Sequence, residues 1–375
     1  MKGDGLDWVR EVLREAEGLS RYDVGETVEG LSRRLRRDPA SILKLNSNEN
    51  FFVPIGFLRS ILMEVVGEYD PRVYPRYEKF QLVEALSRYL NISTGQIVLG
   101  AGSDQLIELI SRAFLKPGDH ALSVTPTFSI YERCTRIHRA RYEAVPLRED
   151  FSLDVDGMLN SIKPRTRIIF LCSPNNPTAN QFDTNSIRSL LEGFNGLVVV
   201  DEAYVDFAGR SIIDLVDEYE NLIVLRTFSK SFGIASLRLG YAVSNEELAS
   251  TLDERFQMPY AVCSIALRVG LKLLDRVEVV SRAVKALKVE RSRAIKLLNE
   301  IDGVRAFDSK TNFILISLPV DSRMLYERLL EKGIIVRNLG RVLHLEDCIR
   351  VTVAPRPVMD RFITTFREVL TGGVD

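Results

Sequence analysis

Four apolar, β-branched runs organise the middle of the chain: RIIFLC (167–172), GLVVVDEA (196–203), NLIVLRTF (221–228) and LGYAVS (239–244). Runs this short and this apolar read as strands buried on both faces. Helical or loop segments separate them. Upstream, ELISRAFLKPGD is a helix ended by Pro117-Gly118, and HALSVTP is a strand. This alternation predicts an α/β fold, a large domain whose mostly parallel sheet is covered by helices. A long helical stretch over 264–301 is followed by NFILISL, a helix around MLYERLLEKG, and CIRVTVAP, which predict a smaller α+β domain. At the other end, Leu6, Val9, Val12, Leu13 and Ala16 recur at helical spacing. We expect residues 1–50 to form a helix and arm packing with the small domain, 51–275 the large domain and 276–375 the small one.

In open α/β sheets, ligands sit outside the carboxyl ends of the strands. The polar residues just beyond each strand therefore matter. SPNNPTANQ comes after IIFLC, DEAYVDF after LVVV, SKSFG after LIVLRTF, and SDQ after IVLGAG, where it opens a helix. Asn176, Asp201, Tyr204, Lys230 and the Gly102–Asp104 turn then face one cleft. Lys230, between Ser229 and Ser231, is the most demanding of them. A charged side chain at the end of a core strand is rarely buried unless paired or put to chemical use.

Composition removes several classes of function. With 375 residues there is room for two domains and a large core. A formal net charge of −1 gives no general attraction to nucleic acid or to an anionic membrane. The opening MKGDGLDWVREVLREAEG carries charge every few residues, so neither a signal peptide nor a membrane span is expected. Cys134, Cys172, Cys263 and Cys348 are widely separated and fit a reducing compartment. His120, His138 and His344 are equally scattered, so no structural metal is expected. A cytoplasmic protein is the expectation.

Taken singly, the strand ends have ordinary readings. GAG at Gly100–Gly102 begins a dinucleotide fingerprint, but Gln105 stands where its third glycine belongs. The other reading is a turn whose N–H groups hold one phosphate at a helix start. Asp201 is a helix cap or a Mg²⁺ ligand, and NNPT is a plain turn. Taken together, they suit a lysine that forms a Schiff base with an aldehyde cofactor, pyridoxal 5′-phosphate. Asp201 would keep the pyridine nitrogen protonated. Asn176 and Tyr204 would donate to the ring oxygen. Gly102 to Asp104, Ser229 and Arg238 would receive the phosphate. An unperturbed lysine titrates at roughly 10.4, so burial and nearby cations would have to lower it, with Arg238 well placed to help.

The motifs KLNSNEN, VYP, LGAGSDQLIELI, TPTFSIY, CSPNNPT, DEAYVDF, TFSKSFGIASLRLGY, GIIVRNLG and IRVTVAPRP occur in this order. From about Tyr22 to Phe366 the chain resembles the fold-type I pyridoxal-phosphate aminotransferases, and within them the histidinol-phosphate aminotransferases. The resemblance implies that Lys230 carries the cofactor and shuttles the proton. Asp201 pairs with the ring nitrogen, Asn176 and Tyr204 bind the ring hydroxyl, and Phe128 stacks on the ring. Gly102, Ser103, Asp104, Ser229 and Arg238 hold the phosphate. Tyr74 reaches that phosphate from the neighbouring subunit, which implies a homodimer. Arg350 binds the acidic end of the substrate, with Arg337 beside it, and Tyr22 and Asn48 border the substrate.

Departures fall mainly near the substrate. NENP becomes NENFFVP, RPYxPG becomes SRYDVG, and Ser236 stands for a glycine. Ala179 stands where the family has glycine in PNNPTG. If that turn needs φ > 0, alanine strains it by ~1 kcal/mol. The expected reaction passes an amino group from histidinol phosphate to 2-oxoglutarate. Alternatives on the same scaffold are an aromatic amino acid aminotransferase and a threonine-phosphate decarboxylase. From other classes come a regulatory protein that has lost turnover, which the intact Lys230 opposes, and a Rossmann dehydrogenase, which Gln105 opposes.

Overall fold

The computed structural model describes residues 7–19 and 21–372. Leu6, the first of the predicted apolar positions, lies outside the described residues. Helix α1 (Asp7–Glu17) has the predicted spacing but buries none of its residues, a departure from the expected packing with the small domain. Helix α2 (Val28–Leu35) starts at Thr27, whose hydroxyl accepts the Gly30 N–H, and it buries Leu31 beside Ile42, Leu330 and Ile335. After β1 (Leu43–Lys44) come α3 (Ile55–Glu68), α4 (Tyr77–Leu90), β2 (Ile97–Gly100) and α5 (Ser103–Phe114). Strands β3 (His120–Thr125), β4 (Arg141–Pro146), β5 (Thr166–Cys172), β6 (Leu197–Asp201), β7 (Leu222–Thr227) and β8 (Gly240–Val243) complete a seven-stranded sheet.

Its strand order is β2-β8-β7-β6-β5-β3-β4. Five strands, β7 to β4 in that order, are mutually parallel; the apolar side chains of β7, β6, β5 and β3 are covered on both faces, and those of the edge strand β4 are half-buried. LGYAVS is the exception to the simple alternation. As β8 it runs antiparallel to both β2 and β7. The link from β7 carries only a 3₁₀ turn, Ala235–Leu237, and no helix long enough to return the chain for a parallel pairing. The register sets Cys172 beside Asp201 and Asp201 beside Leu225. Chemistry at the ends of β5, β6 and β7 is therefore side by side.

The single helix expected over 264–301 is two, Ser264–Leu274 and Val277–Asn299. The break is at Arg276, whose φ of −126° and ψ of 34° leave the helical region. Each piece has its own partner. The first packs on α3 and α4, and the second on the C-terminal elements. The second meets β9 (Arg305–Ala306), β10 (Phe313–Ser317) and the helix Arg356–Thr371, in a C-terminal part that also holds the helix Ser322–Glu331, β11 (Ile334–Ile335), β12 (Arg337–Val342) and β13 (Leu345–Thr352). The antiparallel sheet β12-β13-β10-β9 pairs Arg337 with Arg350 across β12 and β13, while β1 joins β11. Among the described residues, no helix is long and apolar enough to cross a membrane.

One glycine fixes the distance between the sheet and the start of α5. A Cβ on Gly240 of β8 would lie 2.9 Å from Gly102 C, from Ser103 N and from Arg226 O, all backbone atoms. We predict that Gly240→Ala pushes the α5 start off the sheet and lowers stability by ~1–3 kcal/mol. The thermal unfolding midpoint checks this, and an unchanged midpoint would contradict it.

Candidate active site

The carboxyl ends of β3, β5, β6 and β7 open into a cavity of about 380 Å³. Of the residues read from the sequence, Tyr22, Asn48, Ser103, Asp104, Phe128, Asn176, Asp201, Tyr204, Ser229, Lys230, Arg238, Arg337 and Arg350 line it. Gly102 sits immediately behind, with φ +83° and Arg238 Nη2 only 2.6 Å from where a Cβ would be. Any other residue there would displace the guanidinium. Tyr74 is not in the cavity. It is 72% exposed on the outer surface, where its ring stacks on Tyr260 with centroids 4.6 Å apart.

Asp201 ends β6 with only 2% of its surface exposed. Burial pushes its carboxyl up to about 6, against an ordinary 3.8. Two donors oppose that rise: the Tyr131 hydroxyl donates to Oδ2 and the Ala203 N–H to Oδ1, each at 3.0 Å. Tyr131 is itself fully buried, stacked on Phe170 and met edge-on by Phe128. Burial and the neighbouring Asp201 raise its phenol well above the usual range, so it remains a donor.

Lys230 lies just beyond β7, and its Nζ stands 5.7 Å from the centre of the Tyr204 ring. Removal from water, and then the charge of Arg350, lower it to about 8. Arg238 helps as expected, but less than Arg350. Arg238 Nη2 pairs with Asp104 Oδ2 at 3.1 Å, so much of its field is cancelled before it reaches the lysine. Arg350 pairs with no carboxylate among the described residues. Its Nη1 donates to Asn176 Oδ1 (2.5 Å) and its Nη2 to Asn46 O (2.8 Å), while its buried Nε meets no acceptor there. Tyr204, its phenol raised by burial, accepts a hydrogen bond from Asn48 Nδ2 at 3.0 Å.

At the other end of the cavity, α5 begins after Gly102 with no side chain capping its first N–H groups. Ser229 Oγ accepts from Thr227 Oγ1 (3.0 Å) and from Arg238 Nη1 (3.4 Å). An open helix start, a hydroxyl and a guanidinium there form a receptor for an anion. Elsewhere in the cavity lining, Arg337 Nη1 donates to Asp23 O and pairs with Asp23 Oδ2, at 3.0 and 3.1 Å. Ala179 takes the glycine-like conformation itself, φ +65°, fully buried, with its N–H donating to Asn175 O. The turn therefore keeps its shape and carries the strain locally.

Sequence reasoning does not reach Tyr131, Thr227, Asn46 or Asp23. Tyr131 stands three residues after Phe128 in TPTFSIY, at the start of the helix Ile130–Ile137. That spacing is the available signal. Asn46 acts through its backbone carbonyl, which no motif reveals.

A carboxyl raised by folding carries a stability penalty that appears as the unfolded chain ionises. The penalty is absent well below the unfolded value, grows to the folded value of about 6 and is constant above it. For cofactor-free protein this amounts to ~3 kcal/mol. Asp201→Asn is predicted to stabilise cofactor-free protein by up to that amount at about pH 7.5 and by little at about pH 3. Denaturant unfolding at the two pH values checks it, and equal effects at both would contradict it.

With this geometry in place, comparison with known proteins is direct. The sequence model of the family described as aminotransferase class I and II matches residues 41–366. A histidinol-phosphate aminotransferase of Thermoanaerobacter sp. (strain X514) is 40% identical over 329 residues, 87% of this chain and 93% of that protein. One from Methanosarcina mazei is 36% identical over 361 residues, 95% of this chain and 96% of that protein. The crystal structure of histidinol-phosphate aminotransferase from Sinorhizobium meliloti, in complex with pyridoxal-5′-phosphate, superposes with a TM-score of 0.85. It covers 96% of this chain and 97% of its own, and at 24% identity it speaks for the fold. The chain belongs to the aminotransferase class I and II family, with the fold of the type I pyridoxal-phosphate aminotransferases.

Proposed function

We propose that this enzyme passes the amino group of histidinol phosphate to 2-oxoglutarate, using pyridoxal 5′-phosphate held by Lys230. The observation that carries the reading is one cavity in which a buried carboxylate, Asp201, and a lysine lowered to about 8, Lys230, stand at the ends of adjacent parallel strands. The donor set fits the cofactor. Asp201 has acceptor capacity left for a protonated ring nitrogen, beyond its bonds to Tyr131 and Ala203. Tyr204 and the Asn176 amide nitrogen have donors for the ring oxygen, and Phe128 offers a ring face. The α5 start, Ser229 and Arg238 suit the phosphate, with Asp104 contributing its backbone N–H while its carboxylate holds Arg238.

When bound, the cofactor supplies an electron sink for the pair left on the substrate carbon once its proton is removed. The chain supplies the rest. Lys230, released when the substrate's amine takes its place on the cofactor and, near 8, neutral often enough at physiological pH, would take that proton at Nζ and return it to another carbon. Arg350, whose field favours the neutral amine, also receives the substrate's anionic end through its unpaired Nε. Arg337 is its cross-strand partner. Two guanidiniums suit a phosphate by charge-assisted hydrogen bonds, and they also suit the carboxylate of 2-oxoglutarate. Tyr22 and Asn48 complete the substrate side.

A cytoplasmic homodimer goes with this reading. Met63, Val66, Tyr74, Tyr77, Phe80 and Met258 expose large apolar side chains on α3, α4 and the neighbouring loops. An apolar surface of this kind supports association with a second copy. Tyr74 is assigned to the phosphate of the neighbouring subunit's cavity.

Single half-reactions test the substrate. Histidinol phosphate is expected to discharge the visible absorption band of the purified holoenzyme rapidly, phenylalanine slowly, and Lys230→Ala is expected to show no such conversion. Rapid discharge by phenylalanine alone would overturn the choice of donor.

A further inference from the structure

The two arginines on the substrate side differ in charge compensation. Among the described residues, Arg350 has only neutral partners, the Asn176 amide and the Asn46 carbonyl, and one buried N–H with no acceptor. Arg337 faces a carboxylate. Asp23 is set for that contact: its Oδ1 accepts the Gly25 N–H at 2.8 Å, and its Oδ2 stands 3.1 Å from Arg337 Nη1. Gly25 permits the approach. With φ +71°, it would bring a Cβ to 3.2 Å from the same guanidinium nitrogen and 3.3 Å from Asn46 Nδ2. Asp23, Arg337 and Arg350 all line the cavity.

From this arrangement we infer that Asp23 is a specificity-determining residue, competing with the substrate's anionic end for Arg337. It thereby reduces the preference for a doubly charged group over a singly charged one. This rests on the reading that Arg337 and Arg350 receive that end. The effect is electrostatic. With Asp23 ionised, the Arg337–Asp23 pair is neutral, and the subsite presents the single charge of Arg350. Asp23 repels a dianion twice as strongly as a monoanion at the same distance. The side chain of Asp23 is 74% exposed, so the pair is weak and an incoming anion exchanges for it readily.

Binding of inorganic phosphate and of acetate to the holoenzyme, measured by titration calorimetry, tests this without any turnover. Asp23→Asn preserves shape and the bond from Gly25 N–H. It is expected to tighten phosphate binding by roughly two- to five-fold and acetate binding by distinctly less. In an Arg337→Gln background the gain from Asp23→Asn is expected to vanish. Unchanged or weaker phosphate binding in Asp23→Asn overturns the inference. So does an equal gain for acetate, persistence of the gain without Arg337, or no phosphate binding in either form. If the holoenzyme rejects histidinol phosphate as donor while these shifts appear, the choice of donor fails and the role of Asp23 stands.

Discussion

Asp201 is an acid almost withdrawn from water, and the architecture of the site derives from keeping it ionised there. Burial alone would leave the carboxyl neutral, so donors must compensate. Tyr131 and the Ala203 N–H are those donors. Tyr131 in turn needs Phe170 and Phe128 against its ring to stay in place, which links the carboxylate to the aromatic wall of the cavity. The remaining deficit is a cost in the empty protein that a cation beside Asp201 relieves. Binding energy for a cation is thus stored in the fold before any ligand arrives.

The same sheet sets the lysine opposite. Because β6 and β7 are parallel neighbours in fixed register, the residues after them open on one side without any long loop. Lys230 and Asp201 have opposed requirements: one is lowered and the other raised by burial. Arg350, reaching in from β13, adds to the lowering of the lysine while its partners stay neutral. The small sheet therefore contributes electrostatics as well as part of the cavity lining. At the far end, Gly240 lets backbone approach backbone and Gly102 leaves room for the Arg238 guanidinium, so that the α5 start and Arg238 meet at one point.

Much of this is legible in the sequence, because strand ends in a parallel sheet are readable from apolar runs. RIIFLC, GLVVVDEA and NLIVLRTF lead directly to Asn176, Asp201 and Lys230. LGYAVS reads as one more strand of the alternation, and only the shortness of its link reveals that it turns back. The break at Arg276 is hidden because both helices it separates are apolar on one face. Charge partners are the least legible. Nothing local in the sequence says that Asp104 holds Arg238, that Asp23 holds Arg337, or that Arg350 acts on Lys230 more strongly than Arg238. Those pairings join residues more than a hundred positions apart and exist only once the chain has folded.

Everything proposed for the site turns on Lys230 being the residue that holds the cofactor covalently. Reduction of the holoenzyme with borohydride, followed by proteolysis and peptide mass spectrometry, measures this most directly. A single pyridoxyl-modified peptide is predicted, the one containing Lys230, with no modification in Lys230→Ala. A label on another lysine, or none on a protein that retains the cofactor, would contradict it.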